Sequence, residues 1–129
     1  MSDFSNSLMI SAGALRTQAT RLRHVAENIS NADTPGYRRK FTTFETDTNP
    51  DGVTTVQPGD VQLDRSDLRQ VYDPSHPLAD DTGHYDGSNV DLMIEIADAR
   101  EAQRSYEANL KMFDQSRQMS SALMELLRK

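Results

Sequence analysis

The 129-residue chain has no cysteine and no tryptophan, and little of what a self-sufficient core is made from. Without cysteine there is neither a disulfide framework nor a thiolate metal site. Only 36% of residues are hydrophobic and 6% aromatic, the mean hydropathy is −0.71, and ordinary domains run nearer half apolar. A core built inside such a chain is thin, which implies a fold that borrows surface from neighbours. No stretch approaches the roughly 20 apolar residues of a membrane-spanning helix. The opening MSDFSNSLMISAGALRTQ has neither a basic start nor an unbroken apolar run. No cleaved signal peptide is therefore expected, and export would leave the N-terminus uncut.

What is present is unevenly distributed. The net charge is −6. Residues 1–40 hold six basic and three acidic groups (+3), residues 41–88 two and ten (−8), and residues 89–129 six and seven (−1). An acidic middle excludes nucleic acid as the main partner, because phosphate contacts need clustered Lys and Arg. Arg38-Arg39-Lys40 is the one basic cluster, and it is too short for more than a local contact.

Both ends read as helix. Leu8, Ala12, Leu15, Ala19, Leu22, Ala26 and Ile29 are spaced 4-3-4-3-4-3, the apolar seam of a coiled-coil-like helix from about residue 4 to about residue 31. Gly13 weakens that helix by about 1 kcal/mol relative to Ala, but leaves room for another backbone. Ser88-Asn89-Val90-Asp91 fits a capping box, predicting a second helix from about Asn89 to the end. Its seam runs Leu92, Ile96, Ala99, Gln103, Tyr106, Leu110 and Phe113. Between the helices lie all five prolines, four of them within residues 38–87, and three short alternating runs, around Phe41–Phe44, Val53–Val56 and Val61–Tyr72. These predict a small β-rich flap. The expected fold is mainly α, with terminal helices paired as a coiled-coil-like layer. Its three parts are residues 1–33 (first helix), 34–88 (turn and acidic β insertion) and 89–129 (long second helix). Two helices bury too little to offset ordering costs of about 1–2 kcal/mol per residue, so the seams imply further partner helices.

The first helix stops at NISNADTPGY, residues 28–37. Asn28 and Asn31 share a helix face, and Asn31 is suited to closing the helix. Thr34 precedes Pro and leaves helical geometry. Pro35-Gly36 fits the centre of a type II turn, with Gly supplying positive φ. Tyr37 then packs back on the helix end.

AENISNADTPGYRRK resembles the N-terminal signature of the bacterial flagellar rod, hook and hook-associated axial proteins, through Asn28, Asn31, Thr34, Pro35, Gly36 and Tyr37. RSYEANLKMFD resembles that family's C-terminal run, through Arg104, Tyr106, Glu107, Ala108 and Asn109. VYDPSHPLAD resembles one small rod member of the family, while DGSNVD resembles a sister rod member. The resemblance spans nearly the whole chain, in order. It implies a structural subunit that polymerises with copies of itself and other rod subunits into the periplasm-crossing shaft, after passage through the flagellar type III export apparatus. Under that resemblance the two motifs are expected to approach each other in space.

Other readings are poorer in support. Asp47–Gly52 (DTNPDG) matches half of a calcium loop, but the twelfth position is Pro58 rather than Glu, which predicts a plain turn. His24, His76 and His84 have no metal-ligand spacing, and Asn28-Ile29-Ser30 is a glycosylation triplet at a helix end. No nucleophile elbow, phosphate loop or HExxH is present, so neither catalysis, a cofactor nor a small-molecule substrate is expected. An enzyme would need a titratable group of shifted pKa in a closed cleft. A soluble coiled-coil adaptor or export chaperone is the rival structural reading, with helices that pair stably in dilute solution.

Overall fold

The computed structural model describes residues 2–128. Helix α1 spans Ser2–Ser30, strands β1 and β2 span Lys40–Thr48 and Thr54–Leu63, β3 and β4 span Gln70–Tyr72 and His84–Asp86, and α2 spans Leu92–Arg128. The two long terminal helices pack together, with two small antiparallel sheets between them in sequence, β1–β2 and β3–β4. Asn28 meets Glu95 and Arg21 meets Asp98, so α1 and α2 run antiparallel. At about 1.5 Å per residue, α2 is roughly 55 Å long.

The β insertion departs from expectation in two places. Two of the expected runs merge into one strand, β2, because the irregularity at Pro58-Gly59 bends the ladder without ending it. Its register slips between Thr42 and Phe44, and a bulge is where a strand tolerates proline. The third run does not continue as strand through residues 64–69. There the Asp64 carboxylate accepts from the Ser66 N–H (2.8 Å), and the carbonyls of Asp64 and Ser66 accept from Arg38 and Asn89 side chains. Side chains have replaced the neighbouring strand. DTNPDG closes the β1–β2 hairpin: Asn49 Oδ1 accepts from the Asp51 and Val53 amides at 3.0 and 2.9 Å. Among the described residues no acidic or histidine cluster is arranged to hold a metal ion.

The hairpin lies along α1. An added Cβ at Gly13 would stand 2.8 Å from the Val56 carbonyl oxygen, so the backbone that this glycine admits is that of β2. Thr17 Oγ1, which donates to the Gly13 carbonyl at 2.8 Å, lies 3.3 Å from the same Val56 oxygen. The interior is sparse and polar. Val25, Ala32, Val90 and Ala102 are its buried apolar residues, against Ser11, Thr17, His24, Asn28, Ser88 and Glu95. Small residues and hydrogen bonds, rather than bulk, hold the layers together.

The two apolar seams do not form that interior. On α1 the buried positions are Ser11, Gly13, Thr17, His24, Val25 and Asn28, while Leu8, Leu15 and Leu22 are half-buried and Ala12, Ala19, Ala26 and Ile29 exposed. On α2 the buried positions are Glu95 and Ala102. Ala99, Tyr106 and Phe113 are half-buried, and Leu92, Ile96, Gln103 and Leu110 are exposed. At about 3.6 residues per turn, Leu8, Leu15, Leu22 and Ile29 fall on the flank of α1 opposite Gly13 and Thr17, which face the hairpin. Leu92, Ile96 and Leu110 likewise fall on the flank of α2 opposite Asp98 and Glu101, which border the hairpin side. The helix pair therefore has one face under the hairpin and one face carrying both seams.

Candidate assembly site

The chain leaves α1 through a closed set of hydrogen bonds. Asn31 caps the last turn, its Nδ2 donating to the Glu27 carbonyl (2.9 Å) beside its own amide (3.1 Å). Thr34-Pro35-Gly36-Tyr37 is a type II turn: the Tyr37 N–H donates to the Thr34 carbonyl (3.2 Å) and Gly36 has φ +74°. That φ is open to glycine at little cost. The Gly36 N–H also reaches the carbonyls of Asp86 and Gly87, at 3.1 and 3.2 Å, tying the turn to β4.

Asn28 is the hub. It is fully buried, and its amide serves as a strand partner for Lys40: Oδ1 accepts from the Lys40 N–H and Nδ2 donates to the Lys40 carbonyl, each at 2.8 Å. Oδ1 also accepts from the Tyr37 hydroxyl (2.8 Å), and Nδ2 lies 3.4 Å from Glu95 Oε2. All the bonding capacity of a buried carboxamide is used. Burial raises the Tyr37 pKa, which keeps its hydroxyl a donor. The second helix closes the set. Glu95 is fully buried and accepts from Arg39 Nε, while Asn89 Oδ1 accepts from the Arg39 N–H (2.7 Å).

Helix α2 starts at Leu92 rather than Asn89. The N-cap is Asp91, whose carboxylate accepts from the Met93 N–H (3.0 Å) and whose carbonyl takes the Glu95 amide. Ser88, expected to cap, instead donates its hydroxyl to the Ala32 carbonyl. That bond clips the end of α1 to the segment entering α2. Arg39 was visible only as part of a basic cluster, Ser88 and Asn89 only as part of a capping box, and Glu95 was not singled out by pattern. The available signal was a lone acid inside the apolar run Leu92–Ala97.

Of the first motif, the structure brings Asn28 and Tyr37 together. Asn31, Thr34, Pro35 and Gly36 make the exit turn, the last three of them exposed. The second motif is elsewhere. Tyr106 lies eleven residues beyond Glu95, about 16 Å along the helix. Within one chain the two motifs do not meet. Arg104, Glu107 and Ala108 are exposed, Tyr106 and Asn109 half-buried, and Asn109 Nδ2 donates to its own helix at the Ser105 carbonyl (2.8 Å).

Above the hub a notch of about 520 Å³ opens between α1, β1 and α2, bordered by His24, Val25, Phe41 and Phe44. His24 is buried with neither ring nitrogen hydrogen-bonded. Burial lowers its pKa, and Arg23 and Lys40 lower it further against a smaller opposing pull from Glu27. The ring is therefore kept neutral and packs as an apolar wall. The notch is open, and among the described residues none of its hydroxyl or amine groups is hydrogen-bonded to the histidine.

A chain built from two long helices, an exit turn and a polar hub has the parts of an axial structural subunit. The family model described as "Flagella basal body rod protein" matches residues 8–38, which contain the exit turn, and "Flagellar basal body rod FlgEFG protein C-terminal" matches residues 82–126. The flagellar basal-body rod protein FlgC of Agrobacterium fabrum (strain C58) is 42% identical over 136 aligned positions, covering 99% of this chain and 98% of its own. FlgC of Salmonella typhimurium (strain LT2) is 33% identical over 88% of this chain and 90% of its own, and FlgC of Aquifex aeolicus 32% over 97% and 98%. The chain belongs to the FlgC family of flagellar basal-body rod proteins, as a non-enzymatic structural subunit. Membership implies assembly with rod subunits. No helix among the described residues is long and apolar enough to cross a membrane.

Proposed function

We propose that this subunit polymerises through its terminal helices into the proximal part of the rod, within the periplasm-crossing shaft. Its neighbours there are copies of itself and other rod subunits, and it reaches them through the flagellar type III export apparatus. One observation carries this reading. The helix-pair face away from the hairpin bears Leu8, Leu15, Leu22, Ile29, Leu92, Ile96 and Leu110, none of them buried. Contiguous exposed apolar surface on a soluble chain marks an interaction site, and heptad spacing fits it for other helices. In this reading residues 1–33 and 89–129 form the inner helical layer, and residues 34–88 form the outer part set at a fixed angle by Asn28–Tyr37. The second motif, Arg104 to Asn109, faces a neighbouring subunit rather than its own exit turn.

The test is incorporation. Leu15→Asp or Leu22→Asp places a charge in the strip, and the variant is expected to be made and exported but absent from purified basal bodies, with swimming lost. Normal swimming would contradict the packing. The adaptor reading separates by circular dichroism over a dilution series. An assembly subunit gains helix with concentration, whereas an adaptor's helicity is constant.

A further inference from the structure

The outer face of α1, turned away from α2, is uncovered. Ala12, Arg16, Ala19, Arg23 and Ala26 run along it, all exposed, and no acidic side chain interrupts the row. The cations nearby are neutralised inside the chain: Arg21 by Asp98 and Glu101, Arg39 by Glu95 and Asp64, Lys40 by Glu27. Arg16 and Arg23 form no ion pair among the described residues. The hairpin shows the opposite pattern. Residues 41–63 contain Glu45, Asp47, Asp51 and Asp60 and no basic residue. All four carboxylates are exposed and without an ion-pair partner among the described residues.

We propose that the acid-only hairpin of one copy docks on the Arg16–Arg23 row of the next and sets the register between neighbours. The occupant is a second copy because the two surfaces complement each other in charge and neither is neutralised within its own chain. Copies with a net charge of −6 repel one another, unless a basic face of one meets an acidic element of the other. The alanines between the arginines leave a shallow floor for the hairpin. The two surfaces are different patches of one chain, so the contact is heterologous and propagates into rings or open helical arrays. Such a contact governs partner choice and register more than affinity, and it rests on the assembly reading above, in which the apolar strip supplies the adhesion.

Sedimentation of the full chain over a concentration series, at low and high salt, tests this. Arg16→Glu/Arg23→Glu and Glu45→Lys/Asp47→Lys are each expected to weaken self-association about tenfold at low salt, as a few exposed ion pairs allow. An equimolar mixture of the two variants is expected to recover most of that loss, because each supplies the surface the other lacks. Should either reversal unfold the chain, Arg16→Gln/Arg23→Gln and Glu45→Gln/Asp47→Asn carry the same prediction at about threefold. Reversed variants that associate like the wild type would overturn the proposal. So would a mixture no better than its components, which would assign the row to an acidic partner of another kind. If Leu15→Asp abolishes association and the reversals leave it intact, this docking fails while the assembly reading stands. A wild-type chain monomeric at every concentration removes both.

Discussion

The hub around Asn28 and the apolar strip of the helix pair lie within a few turns of each other, and they are finished to different degrees. At the hub, Asn28, Lys40, Tyr37, Arg39 and Glu95 satisfy one another within one chain. Along the strip, Ile29, Leu92, Ile96 and Leu110 remain 39–49% exposed. The difference teaches where the chain's own stability resides. The polar junction sets the angle between helix and insertion before any partner arrives, whereas the apolar surface is reserved for the partner. Substitutions at the hub are therefore expected to damage the free chain, and substitutions on the strip its association.

The largest effect on the free chain is expected from Glu95→Ala. It strips Arg39 of its buried counter-charge and costs about 3 kcal/mol, read as a lowered urea midpoint. Asn28→Ala follows, at about 2 kcal/mol, because the Lys40 backbone groups and the Tyr37 hydroxyl lose their buried partner. A stability close to wild type would mean that water replaces the amide and the hub is not a unit. Pro35→Ala/Gly36→Ala is expected to cost about 1 kcal/mol through the left-handed φ at position 36, to lengthen α1 and to misplace the hairpin. Unaltered incorporation of that variant would make the turn incidental. Leu15→Asp is expected to change the free chain's midpoint by less than about 0.5 kcal/mol while abolishing incorporation, which is the comparison in its sharpest form.

A smaller effect comes with pH. His24 has a folded pKa below its ordinary value, so the folded chain binds fewer protons there than the unfolded one. The stability this contributes is complete above about pH 6.5, the ordinary histidine value, and is lost as pH falls through the lowered folded value. His24→Leu is expected to flatten the stability profile in that range. The carboxylates of Glu27, lowered by Lys40, and Asp64, lowered by the Ser66 amide, act only at more acid pH.

Local chemistry was legible in the sequence where a residue's partner is near in sequence. Pro35-Gly36 dictates its own turn, Asn49 its own hairpin loop, and the heptads their own helices. Asn28 was visible as part of a motif, but its work was not, because its partners lie 12 and 67 residues away. Ser88 satisfied a capping pattern and was used elsewhere, since Asp91 stood ready three residues on. Each seam defines a face of its helix, yet periodicity does not say what covers that face. Gly13 and Thr17 give the hairpin closer access, so the interior rotated away from the leucines.

Amide hydrogen exchange on the dilute chain and on the assembled rod tests the division between hub and strip most directly. The account predicts that the amides of Gly36, Tyr37 and Lys40 are already protected in the free chain, while those of α1 and α2 near Leu8, Leu15 and Leu110 gain protection only on assembly. Helices as protected in dilute solution as in the rod, or a hub that orders only within it, would contradict it.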